Sequence, residues 1–137
     1  MSNQIYPKYK EAAHGGQVNL ATAVVKAVLV NLSGGTAYAY SATHEFLSSI
    51  PAGARISTSA AVTGKTLTNG EFNCSDPLFA SVAAGADSPY EAVVFFVDTG
   101  NEATSRLICF VDTATGLPIT PDGGDLPVQV VGYVYKL

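Results

Sequence analysis

Glu91-Ala-Val-Val-Phe-Phe-Val97, Asp98-Thr-Gly-Asn101 and Ser105-Arg-Leu-Ile-Cys-Phe-Val111 form the stretch that decides the fold of this chain. Two runs dense in β-branched and aromatic residues flank a tetrad of turn formers, the pattern of a β-hairpin. Two further turn-rich clusters follow, Asp112-Thr-Ala-Thr-Gly116 and Pro121-Asp-Gly-Gly-Asp125, so the hairpin is expected to feed a third strand. No catalytic constellation interrupts these runs. Taken alone, the residues describe a soluble, β-rich globular domain with an interaction role.

Working outward, Val18 to Leu32 is again aliphatic, and both alternating sets, Val24/Val28/Val30 and Val25/Ala27/Leu29, are apolar apart from Lys26. That pattern predicts a strand buried on both faces, or one whose outer face meets another chain. Ser33-Gly34-Gly35 supplies a turn. Ser41 and Thr43 are candidate caps for a short helix over Ala42–Ser49, with Phe46, Leu47 and Ile50 at helical spacing and Pro51-Ala-Gly53 ending it. Asn69-Gly70 is the strongest hairpin signal. A two-residue loop there sets Thr68 opposite Glu71, Leu67 opposite Phe72 and Thr66 opposite Asn73, making Leu67 and Phe72 an apolar cross-strand pair. Ala83 to Pro89 reads as a loop. Residues 1–17 lack strand or helix periodicity and read as an arm, whose Ile5, Tyr6 and Tyr9 are expected to dock on the domain's own core or on a neighbouring subunit. The expected fold is mainly β, a single β-sandwich or small β-barrel-like domain over residues 18–137, with one short helix and an extended N-terminal arm over residues 1–17.

Composition narrows the function. At 137 residues one core is expected. Charged residues make up only 13%, about half of what soluble domains carry, which suits a surface that hides part of itself against copies or partners. Net charge is −4 with seven scattered cations, so no nucleic-acid partner is expected, because phosphate neutralisation dominates that affinity. The start of the sequence has no apolar stretch behind a basic one, so Sec export is not expected. The apolar runs Ala23–Val30 and Ala92–Val97 are too short to span a bilayer, and no membrane partner is expected.

Several near-motifs fail on chemistry. Ser59-Ala-Ala-Val-Thr-Gly-Lys-Thr66 lacks the first glycine of a phosphate-binding loop, and a hairpin rather than a helix follows it. His14 and His44 have no neighbouring nucleophile and acid, and no nucleophile elbow is present. Cys74 and Cys109 form no CxxC and read as two small apolar thiols rather than a disulfide. Asp98, Asp112, Asp122 and Asp125 stand in turns without the alternate spacing of a calcium loop, so they read as turn formers and no cofactor is expected. Tyr38, Tyr40, Tyr133 and Tyr135 alternate along extended segments and would suit stacking on a sugar, which keeps a glycan- or receptor-binding module open as an alternative.

Taken together, Tyr6-Pro-Lys-Tyr-Lys-Glu11, Tyr40-Ser-Ala-Thr-His-Glu-Phe-Leu47 with Ile50-Pro-Ala-Gly-Ala-Arg55, Thr63-Gly-Lys-Thr66, Asp98 to Ile108 and Asp112 to Asp125 resemble small virion structural proteins of tailed bacteriophages. Within that class the size and β-rich pattern are most similar to a capsid decoration, or cement, protein. The resemblance implies a component without enzymatic activity on the outer capsid surface of the virion, made in the bacterial host cytoplasm. It also implies binding as a homotrimer to the major capsid protein at three-fold positions. Ile5, Tyr6, Pro7 and Tyr9 are the residues expected to contribute to the subunit or capsid interface. A tail or neck component of ring symmetry is the nearer alternative.

Overall fold

Three strands, β2 (Val25–Val30), β7 (Ala92–Val97) and β8 (Leu107–Val111), form the centre of the molecule in a computed structural model that describes residues 4–31, 38–75, 78–79, 92–111, 126–127 and 135–136. They lie in an antiparallel five-stranded sheet of order β1-β8-β7-β2-β3, with β1 (Gln4–Ile5) and β3 (Arg55–Thr58) at its two edges. The pairing Val25↔Val97, Ala27↔Phe95 and Leu29↔Val93 puts these residues on one face, and Val28↔Val94 and Val30↔Ala92 on the other. Both sets are buried except Val97, which is partly so. The chain is therefore mainly β, and its central strand has the two-sided burial that its uninterrupted apolar run predicts.

Two smaller sheets complete the described fold. One has the order β10-β5-β4, from β4 (Thr66–Thr68), β5 (Glu71–Asn73) and β10 (Tyr135–Lys136); the other pairs β6 (Leu78–Phe79) with β9 (Leu126–Pro127). Phe72 of β5 and Phe79 of β6 belong to the same buried cluster as the central sheet. Cys74, just past β5, lies near enough to Cys109 of β8 for the two thiols to interact electrostatically. No described sheet closes on itself, so the architecture is sandwich-like and not a barrel.

The β7–β8 hairpin forms as its sequence predicts. Asp98 Oδ1 accepts from the Gly100 amide at 3.0 Å, and Gly100 sits at φ 85°, where a side chain would be strained. At Asn69-Gly70, φ values of 55° and 77° give the mirror-image turn that matches strand twist. The register is the expected one, Thr66↔Asn73, Leu67↔Phe72 and Thr68↔Glu71. Phe72 is buried, but Leu67, on the outer strand of that sheet, is 52% exposed.

The helix lies elsewhere than expected. Residues 42–49 form no α-helix; only 3-10 turns occur, at Leu47–Ser49 and Ala52–Ala54. The amides of Leu47 and Ser48 donate across to the carbonyls of Ser105 and Glu102 (2.8 and 3.1 Å), so tertiary bonds replace the helical ones. The α-helix, α1, runs from Pro7 to His14 inside the segment read as an extended arm. Pro7 occupies its first turn, Tyr6 ahead of it is extended, and the amides of Gly15, Gly16 and Gln17 close its end on the carbonyls of Glu11, Ala13 and Ala12. The expected turns at Ser33–Gly35, Asp112–Gly116 and Pro121–Asp125 and the loop at Ala83–Pro89 lie outside the described residues.

Candidate functional site

The four residues expected at an interface separate into two pairs. Tyr6 and Tyr9 are buried in the chain's own core, so of the two docking modes open to the arm the structure has the intramolecular one. Ile5 and Pro7 are half-buried beside them. β1 pairs with β8 through Gln4↔Phe110 and Ile5↔Cys109, and the Tyr6 amide extends the ladder by donating to the Ile108 carbonyl at 3.1 Å.

Tyr6 opens a hydrogen-bonded row of side chains that leads from the core toward the surface. Its hydroxyl meets that of Tyr38 at 2.6 Å, and the Tyr38 hydroxyl meets His44 Nδ1 at 2.8 Å. Tyr40 packs on Tyr6 and on Phe110, with ring centroids 5.0 and 5.6 Å apart. Burial raises the Tyr6 phenol far above its ordinary value and pushes Tyr38 up to about 12. Burial acts oppositely on His44, lowering it below the ordinary 6.5. Nothing in the spacing of Tyr6, Tyr38 and His44 announces the row, because it is assembled by the docking of β1 against β8. Tyr38 is buried and presents no open stacking face for a sugar, whereas Tyr40 is half-buried against the tilted rings of Tyr6 and Phe110; the side chains of Tyr133 and Tyr135 lie outside the described residues.

Beside this row two loops are stitched together. Arg55 Nη1 meets Glu102 Oε2 at 2.7 Å while Arg55 Nε donates to the Ile50 carbonyl at 3.0 Å. Arg106 Nη1 meets Glu45 Oε2 at 2.9 Å, with its guanidinium 4.9 Å above the Phe46 ring. Lys26 pairs with Asp98 at 2.8 Å, and the hydrogen bond from this ammonium, helped by the Gly100 amide, holds the Asp98 carboxyl below its ordinary value. Lys65, the lysine of the near-miss phosphate loop, donates to the Ala23 carbonyl.

A cleft of about 300 Å³ opens between Gln17–Ala23 and Val97–Arg106. Much of its polar lining is already bonded locally. Asn19 Oδ1 accepts from the Ala21 amide, Thr22 Oγ1 donates to the Asn19 carbonyl, and the Thr99 and Thr104 hydroxyls meet at 2.6 Å. Neither cysteine is in a disulfide, and burial with the neighbouring Cys74 sulfur raises the Cys109 thiol. Among the described residues no cluster of three or more His, Cys, Asp or Glu could hold a metal, and no helix is long and apolar enough to cross a membrane. Val24 and Leu67 are the large apolar residues left exposed there, at 48% and 52%. No family model matches the sequence, and no curated protein matches it.

Proposed function

We propose that this chain is a non-enzymatic structural subunit of a tailed-bacteriophage virion, a capsid decoration protein that binds the major capsid protein on the outer head surface as a homotrimer. The observation that carries this reading is how much of the described polar chemistry is engaged in holding the domain together. His44 is turned to Tyr38, Lys26, Arg55 and Arg106 are tied to carboxylates, and Lys65 reaches a backbone carbonyl. Such a molecule acts by presenting a surface to its partners, not by transforming a substrate. The sequence resemblance supplies the particle, and the low charge of the chain favours burial against protein.

Ile5 and Pro7, half-buried at the β1 edge, and Leu67 on β4 are the contacts this reading assigns to assembly; Tyr6 and Tyr9 support that edge from within. Each contact is modest, and a symmetric trimer multiplies it over several capsid subunits. Sedimentation equilibrium of the purified chain at low micromolar concentration tests the symmetry, followed by co-sedimentation with expanded capsids. A trimer that pellets with the shells is expected. A six-membered ring would transfer the assignment to the tail or neck, and a monomer that ignores capsids would remove it from the head.

A further inference from the structure

We propose that Tyr6, Tyr38 and His44 form an acid-sensitive latch, which holds residues 4–14 on the central sheet while His44 is neutral and loosens them when its ring takes a second proton. The argument is a count of protons. The row has two contacts, Tyr6 to Tyr38 at 2.6 Å and Tyr38 to His44 Nδ1 at 2.8 Å. With His44 neutral and its hydrogen on Nε2, the row holds two hydroxyl hydrogens, and each has an acceptor: Tyr6 donates to Tyr38, and Tyr38 donates to Nδ1. Protonating Nδ1 brings a third hydrogen to the same two contacts. Tyr38 then accepts from the ring, and one hydroxyl hydrogen, on Tyr6 or on Tyr38, is left without a partner among the described residues.

Both hydroxyls belong to buried residues, at 0% and 3% exposure, so the orphaned hydrogen carries the full desolvation penalty. The strain falls on the junction between two segments far apart in sequence. Tyr6 belongs to the stretch that carries β1 and α1, while Tyr38 and His44 belong to the loop that crosses Phe110. Among the described residues, the charged and titratable groups near the row are already engaged or neutral. Glu45, its neighbour, is held by Arg106; Lys8 and Glu11 of α1 pair with each other; Tyr40 and Cys109 are uncharged at neutral pH, their protons held on by burial. Acid therefore moves the cost of the His44 charge into the seat of Tyr6, whose amide is the last rung of the β1–β8 ladder.

Ring-proton NMR of the full chain, with His44 assigned by loss of its signal in His44→Gln, gives the test. The His44 midpoint is expected below the ordinary value in the native protein. It should stay depressed in Tyr6→Phe, where Tyr38 alone still opposes a protonated Nδ1, and rise in Tyr6→Phe/Tyr38→Phe, where no hydroxyl does. In the native protein the hydrogen-exchange protection of the Tyr6 amide should fall about tenfold across the same titration, as loss of one buried hydrogen bond implies. That loss should be absent from the double variant. A midpoint unmoved by the double substitution would assign the depression to burial alone and overturn the latch, as would Tyr6 protection that is flat across the titration.

Discussion

Residues 4–14 and the hairpin of residues 66–73 stand at opposite ends of the relation between sequence signal and structural weight. The hairpin is written locally. Asn69 and Gly70 are residue types that accept positive φ, and the register follows from a two-residue loop, yet β4 is exposed along its length. The first segment has no comparable periodicity, yet it contributes two fully seated tyrosines to the core and an edge strand to the main sheet. A local signal reports how the backbone turns, whereas burial reports what the rest of the chain brings to meet it.

The largest test of this contrast is Tyr9→Ala. If the first segment is core, the substitution costs about 3–5 kcal/mol, as large aromatic deletions do, and denaturant unfolding shows it as a lowered midpoint. A loss below about 0.5 kcal/mol, the range of exposed sites, would return the segment to the status of an arm. Gly70→Ala probes the hairpin where it is strictest. At φ 77° a Cβ costs about 1–2 kcal/mol, so a smaller effect than that of Tyr9 is expected in the same unfolding measurement.

Asp98→Asn is smaller again, about 0.5–1 kcal/mol at neutral pH, because its partner Lys26 is only partly buried. Its sign with pH is fixed. The folded carboxyl is held below its ordinary 3.8, so its contribution is present above that value and is lost as pH falls through the lower, folded one. The Asn variant should therefore show a shallower decline of stability below about pH 4, read from acid titrations of the unfolding midpoint. Last, Leu67→Ser should change stability by less than about 0.5 kcal/mol, since the side chain is half exposed. If the proposed assembly is correct, the same substitution weakens pelleting with capsids. An effect on stability as large as that of Gly70 would place Leu67 in the core and erase the contrast.

The sheet was legible where apolar runs are continuous. β2, β7 and β8 follow from Val24–Val30, Ala92–Val97 and Leu107–Val111 because two-sided burial leaves no polar alternation to interpret. The helix was misplaced because Phe46, Leu47 and Ile50 have helical spacing, while the amides of Leu47 and Ser48 bond across to the carbonyls of Ser105 and Glu102. Its true position carried signals that a search for apolar periodicity passes over, Pro7 at the first turn and Gly15-Gly16 at the end. Of the candidate site, the aromatic residues at 5–9 were visible but their destination was not. The Tyr6–Tyr38–His44 row spans 38 positions and exists only through tertiary docking.

The pairing of β1 with β8 also sets a timetable for synthesis. Gln4 and Ile5 hydrogen-bond beside residues made more than a hundred positions later, Phe110 and Cys109. At ordinary ribosomal speeds of about 5–20 residues per second, the segment waits roughly 5–20 s before its partner strand exists. Throughout that interval β1 has no strand to pair with, although β2 and β3 of the same sheet already exist before it ends. Of the described strands β1 is thus made first, yet it cannot be seated until β8 has followed it.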